Sequence, residues 1–506
     1  VKKVLKNLIS SVLPQIVNII SNLILPGLII AQFGSDVNGL VSTTKTVISY
    51  ISLVGAGIAT AVTQALYQPV ANKDDNAVKG MLRSANGMFN RYGAIFVIIT
   101  FCVAIIYPFA IQSDIPHLTV AGLLIVMSIS GASEFFAIGR CRALLYAHQK
   151  VYVCSLIQAV SLLFSLLLAV FMLKINTGII AVQFSVSFVY VMRGFLLTSY
   201  IKRNYPQYSD YKKADPVDAA IQKRKDAMVH QLAGLAVTGS QSAILTLLVD
   251  LKAASIYSVY NIVLYGIKTI CSNLCTAITP FLGKKYALNL NHQLRKMYNI
   301  VEFSFFSLVT FVLSVTVATL VPFVGIYTKS ADMNYIYPTF AVLFVISSAF
   351  YILKLPGTAL INVAGHFKET KWRALLEAGL SVVLSVAFTL LIGKNGVLLG
   401  TAVALGWRCI DTVVYAAKKI LKASYKRTLL RLGVFFVDLA FFKVLSDRVG
   451  FIPANYGQWI LMAVVFSAIA GVVLLLEALV FERDTIKQIV SYIKKHRISN
   501  GTMEGE

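Results

Sequence analysis

The sequence predicts an all-α integral membrane protein of about 14 transmembrane helices, and three observations carry that prediction. The chain has 506 residues, of which 57% are hydrophobic and only 13% charged, with a mean hydropathy of +0.75. Apolar stretches follow one another from Leu8 to Val480, and a spanning helix needs about 20 mostly apolar residues. Basic residues gather in alternate connections between these stretches. A water-soluble fold could not hide this much apolar surface. Backbone amides cannot face lipid unsatisfied, so the stretches are expected to be helices.

Taken in order, the expected spans are 8–33, 38–67, 92–112, 118–146, 151–173, 177–201, 227–250, 255–282, 298–327, 337–363, 372–393, 396–420, 430–447 and 456–480. The first is too long for the core of a signal peptide and lacks a small-x-small cleavage pattern, so no cleavable signal is expected. Most of the 46 Lys and Arg residues fall in the tails and alternate loops, while the opposite side carries only Lys174, Lys252, Lys329, Lys394 and Arg448. The positive-inside rule then places both termini in the cytoplasm, which requires an even number of spans.

The longest polar connection, 202–226, holds Pro206, Pro216 and the cluster Lys223-Arg224-Lys225. Met81 through Phe89 resembles Met297 through Phe305, and Ala143-Leu144 matches Ala359-Leu360 at the same offset. These signs predict two pseudo-symmetric six-helix lobes, 1–201 and 227–421, joined by a cytoplasmic linker at 202–226. Six spans per repeat give both lobes one orientation about an axis along the membrane normal. Two C-terminal helices (422–481) and a cytoplasmic tail (482–506) lie outside the repeat. Ile486, Ile489, Val490 and Ile493 alternate with charge in that tail, the pattern of an amphipathic helix on an anionic membrane lipid surface.

Several function classes are excluded by what is missing or scattered. A net charge of +24 spread over short loops does not form a nucleic-acid surface. Cys102, Cys141, Cys154, Cys271, Cys275 and Cys409 all fall in apolar stretches, where packing rather than metal binding is expected. The six histidines, His117, His148, His230, His292, His366 and His496, are dispersed. No Gly-x-x-x-x-Gly-Lys-Ser/Thr loop is present, so no ATP-driven pump is expected. Short connections leave no room for an enzyme domain, so neither an enzyme nor a cofactor is expected.

The chemistry should instead lie in charges within the spans. Eight basic residues fall there: Lys45, Arg140, Arg142, Arg193, Lys268, Lys354, Arg408 and Lys443. Each costs roughly 2.5–3.5 kcal/mol at a helix centre on insertion scales. Arg140, Arg142 and Lys443 lie near span ends and can snorkel to the surface. Arg408 and Asp411, three apart, can pair on one helix. Lys268 lies mid-span with Tyr257, Asn261, Tyr265 and Ser272 on its face, and Lys354 with Ser347, Tyr351, Thr358 and Asn362. Lys45 has Ser42, Ser49 and Ser52, and the first span offers Gln15, Asn18 and Asn22. Such spacing puts polar groups on one side of each helix. The reading expects Lys45, Lys268, Lys354, Arg193, Asn18, Asn261, Tyr265 and Tyr351 to line a cationic cavity. Deep acids look few. Glu134 is the clearest, expected either to neutralise one lysine or to exchange a coupling cation. A cavity with this sign suits an anionic ligand.

One segment adds a resemblance. Phe33-Gly34-Ser35-Asp36-Val37-Asn38-Gly39-Leu40-Val41-Ser42, then Gly55-Ala56-Gly57-Ile58-Ala59-Thr60-Ala61, then Ala65-Leu66-Tyr67-Gln68-Pro69-Val70-Ala71 resembles the opening of the oligosaccharide (Wzx-type) flippases. These belong to the multidrug/oligosaccharidyl-lipid/polysaccharide exporter superfamily. The resemblance implies a twelve-helix core of two lobes around a central cavity, with two extra helices. It also implies alternating-access transport of undecaprenyl-diphosphate-linked oligosaccharide across the bacterial plasma membrane, alongside polysaccharide polymerase and glycosyltransferase partners. The charge pattern agrees, since a diphosphate headgroup is costly to draw through lipid unaided. A cation-coupled multidrug exporter of the same superfamily would call for deep carboxylates. A membrane polymerase or ligase would call for a sizeable charged outer loop.

Overall fold

Long apolar runs leave a backbone in lipid only itself to bond with, and the computed structural model answers with helices throughout. It describes residues 2–55, 57–111, 113–208, 210–217, 224–288 and 290–486, with no strand among them. The helices are α1 (Lys2–Ser52), α2 (Ile58–Ala71), α3 (Asp75–Ala110), α4 (His117–Ser133), α5 (Gly139–Ala147), α6 (Val151–Lys174), α7 (Ile179–Asn204) and α8 (Arg224–Leu248). They continue with α9 (Leu251–Ala287), α10 (Asn291–Tyr327), α11 (Pro338–Leu353), α12 (Leu355–Ala364), α13 (Phe367–Ile392), α14 (Lys394–Tyr415), α15 (Lys426–Val449) and α16 (Tyr456–Phe481). Each expected span falls on helical chain, and among the described residues 10 stretches are long and apolar enough to cross a membrane. Side chains such as Ile105, Phe109, Leu390, Leu391 and Leu475 stand exposed, as lipid-facing residues must. The expected tail helix, with Ile489, Val490 and Ile493, lies outside the described residues, as does Lys223.

By packing, the chain forms two compact units, residues 1–262 with 330–334 and residues 263–329 with 335–506. The first unit is centred on buried Leu40, Ile58, Leu66, Phe96, Leu123 and Ile138. Its α1 bends at Gly34, whose φ of 85° is open to glycine but strained for other residues. The kink separates the first two expected spans. It is held by Asp332, which accepts from the Ser35 backbone N–H at 3.1 Å and from the Ser35 hydroxyl. Burial pushes the Asp332 carboxyl up, but these hydrogen bonds outweigh it and hold the group below the usual carboxylate range.

In the second unit, α13 and α14 make the tightest seam. Gly396 and Gly400, one turn apart on α14, lie so close to α13 that a Cβ on either would overlap the backbone at Phe388 or Ser385. Ser385 adds a hydrogen bond of 2.9 Å to the Val397 carbonyl. Small residues let membrane helices approach in this way. Gly400→Val is therefore expected to cost at least about 1–3 kcal/mol through overpacking, seen as a lower melting temperature of the protein in nanodiscs. An unchanged melting temperature would contradict the seam.

Candidate functional site

The break between α11 and α12 puts a charge in the middle of apolar chain. Pro356 lacks the N–H that would continue the helix, and Lys354 sits at the junction with its carbonyl accepting from the Thr358 N–H at 3.0 Å. The Lys354 ammonium pairs with Glu377 on α13. Arg408 on α14 donates its Nε to the second Glu377 oxygen at 3.1 Å and its Nη1 to Asp411 at 2.6 Å. Arg373 on α13 closes on the other Asp411 oxygen, and its guanidinium lies 5.0 Å over the Tyr415 ring. His366 Nδ1 meets the Tyr415 hydroxyl at 3.0 Å. Three cations share two carboxylates, so the chain of pairs keeps one formal positive charge.

Lys268 on α9 approaches this network without joining it. Its ammonium lies 5.4 Å from the Phe344 ring centre and 5.8 Å from that of Tyr351, while Lys354 lies 5.3 Å from the same Tyr351 ring. Tyr351 is thus flanked by two of the expected lysines, both within cation–π range. Among the described residues no carboxylate pairs with Lys268. Asn261 and Tyr265 lie on the same helix, half-buried and exposed respectively.

Lys354, expected to line a cationic cavity, is paired with Glu377. Deep acids are also more numerous than the sequence reading expected. Glu302, Glu377 and Asp438 are all buried within helices. The position-along-span test applied to the bases finds Asp438 when applied to acids, but passes over Glu302 and Glu377, which lie near the ends of their expected spans. Because Glu377 is nearly enclosed, removing one partner should cost more than removing both. Lys354→Met and Glu377→Gln are each expected to destabilise the protein, with the double variant less affected than the sum. A coupling of about 1–3 kcal/mol in a thermal-unfolding cycle is the expected result, and additive effects would refute it.

In the first unit, Lys45 on α1 is exposed and has no carboxylate partner among the described residues. Asn18 is half-buried. Two serines beside Lys45 direct their hydroxyl protons to their own helix. Ser49 and Ser52 donate to the carbonyls of Lys45 and Ile48 at 2.9 and 2.8 Å, the back-bonding habit of helical hydroxyls. Other polar groups serve as glue: Thr43 meets Thr246 at 2.6 Å, and Asn38 donates to Ser255 at 2.7 Å. Glu134 opens a π-helical turn between α4 and α5, and its partner is Arg142 at 2.5 Å rather than a lysine. Arg193 is buried and donates to Gln158 at 3.2 Å.

The last two helices carry their own ionic cluster. Arg431 on α15 donates to Glu302 on α10 at 2.6 Å and to Glu482 at 2.8 Å, and Arg427 adds a bond of 2.7 Å to Glu482. Deeper in the same helices, Asp438 and Glu477 hydrogen-bond to each other. Among the described residues no group of side chains is arranged to hold a metal ion.

No family model and no curated protein matches the sequence. Solved structures do match. The chain is similar to an inward-facing multidrug resistance MATE family transporter of the MOP superfamily, with a TM-score of 0.66 and 13% identity over 81% of this chain and 95% of that one. It is similar to the lipid II flippase MurJ in an inward closed conformation, with a TM-score of 0.64 and 14% identity over 92% of this chain and 98% of that one. A MOP superfamily transporter from Pyrococcus furiosus, described as having a binding pocket of reverse polarity, matches with a TM-score of 0.57 and 12% identity over 84% of this chain and 97% of that one. The chain has the all-helical fold of MOP-superfamily transporters, in keeping with the resemblance read at Phe33 to Ala71. It is a multi-pass membrane protein.

Proposed function

We propose that the chain is a flippase that carries undecaprenyl-diphosphate-linked oligosaccharide across the bacterial plasma membrane for surface polysaccharide assembly, by alternating access. Lys268 is the observation that carries this reading. It is a cation held mid-helix between aromatic rings, with no carboxylate among the described residues to neutralise it, and a diphosphate would complete it. Lys45 has the same unpaired character, and the Lys354 network adds a net positive charge. Support also comes from coverage, since the lipid II flippase fold extends over 92% of this chain against 81% for the MATE transporter.

The second reading, a cation-coupled multidrug exporter, would need carboxylates open to a cationic drug. Glu134, Glu377 and Asp411 are each closed by an Arg or Lys. Depleting the protein in its own cell should make a lipid-linked sugar intermediate accumulate on the cytoplasmic leaflet while surface polysaccharide disappears. Normal surface polysaccharide after depletion, with new drug sensitivity instead, would favour the exporter.

A further inference from the structure

A cationic cavity, unrelated to Lys268, lies in the first unit between α5 and the C-terminal end of α7. Its volume is about 360 Å³, and its walls include Arg140, Lys202 and Lys212 together with Tyr205, Tyr208 and Tyr211. Small-molecule pockets run from about 300 to 1,000 Å³, so the cavity has room for a phosphorylated group. Among the described residues three cations line it and no carboxylate does. The Arg140 guanidinium is fixed rather than neutralised: it bonds to Asn86 and the Tyr211 hydroxyl, and lies 4.8 Å over the Tyr211 ring. The tyrosines are held as firmly. Tyr205 and Tyr208 stack at an interplanar angle of 14°, and Lys150 lies 4.8 Å over the Tyr205 ring from outside the cavity. Asp75, one acid near this cluster, is engaged with the Tyr208 hydroxyl, and Asp210 precedes Tyr211 and is exposed.

Interfacial tyrosines and snorkelling bases are common in membrane proteins. They ordinarily spread over a surface rather than enclose a hollow of this size. Phosphate is the ligand chemistry that matches, because a guanidinium and two ammonium groups supply charge-assisted donors. We propose that this cavity is a separate binding site for a phosphate-bearing anion, either the headgroup of an acidic phospholipid or a soluble phosphorylated compound. Its occupant would bridge α5 and the end of α7 to Tyr205, Tyr208, Tyr211 and Lys212.

The test uses the full chain in nanodiscs of phosphatidylcholine, with inorganic pyrophosphate titrated by calorimetry. Lys202→Gln with Lys212→Gln changes two exposed side chains and should leave the fold intact. Pyrophosphate affinity is expected to fall at least tenfold in that double variant and to persist at this cavity in Lys268→Gln. In parallel, native mass spectrometry counts phosphatidylglycerol carried by each form. Loss of a bound phosphatidylglycerol in the double variant identifies the lipid as the source. Weakened pyrophosphate binding with unchanged lipid identifies a soluble one. Pyrophosphate and phosphatidylglycerol binding both unaffected by the double variant would overturn the proposal.

Discussion

Replacing Lys268 with glutamine is expected to abolish export of the lipid-linked sugar while leaving the protein folded and inserted. The two halves of that expectation have one cause. Lys268 has no carboxylate partner among the described residues, so removing its charge strands no buried anion and relieves a cation held between Phe344 and Tyr351. Stability should hold or rise. A phosphate on the transport path would lose a charge-assisted contact, worth about 1.5–3 kcal/mol, which is roughly a ten- to hundredfold loss of affinity. Binding of a diphosphate-bearing lipid to the purified variant measures the loss, and export in cells measures its consequence. Wild-type export at normal membrane abundance would remove Lys268 from the path.

Arg431→Ala is expected to have the opposite profile, a large loss of stability. Its guanidinium serves Glu302 and Glu482 together, with Asn299 accepting a further bond at 2.8 Å. Cutting it out leaves Glu302 buried with the Thr428 hydroxyl at 2.8 Å and no cation. Breaking a buried ion pair from one side costs about 3–5 kcal/mol. Arg431→Lys should recover only part of this, since an ammonium cannot span both carboxylates as a planar fork does. Thermal unfolding of the three forms is the measurement, and a melting temperature unchanged in Arg431→Ala would refute the role. Acid should act in the same direction. Burial pushes the Glu482 carboxyl up, but hydrogen bonds from Arg431 and Thr485 and the charge of Arg431 outweigh it and hold the group below its usual range. Its contribution is fully present above the unfolded value of about 4.3. It is lost as pH falls through the lower folded value.

The fold was legible because the bilayer imposes a strong rule on hydropathy. Hydropathy marks where lipid ends, however, and not where a helix ends. Residues 75–91 read as a polar connection, yet α3 begins at Asp75, with the Asp74 carboxylate accepting from the Ala77 N–H at 3.0 Å as its cap. Legibility of the Phe33 to Ala71 motif has a geometric source. Gly34 and Gly57 occupy left-handed backbone, and Gly39 lies against the Leu251 carbonyl too closely for any side chain. That motif therefore speaks for the fold and says nothing of cargo. Lys268 stands out in the sequence as a lone base in an apolar run. Glu377 was missed because it follows Lys371 and Arg373 and so passed for the edge of a span. Pairings such as Arg431 with Glu302 join distant parts of the chain, and one sequence keeps no record of which helices meet.

The back-bonded hydroxyls of α1 would matter to any cargo that moved along that helix. Ser49 and Ser52 spend their protons on the carbonyls of Lys45 and Ile48. Under the proposed function, a glycan passing them would meet oxygens already committed rather than waiting donors. A wall of that kind would leave selectivity to the few charges able to hold the phosphates.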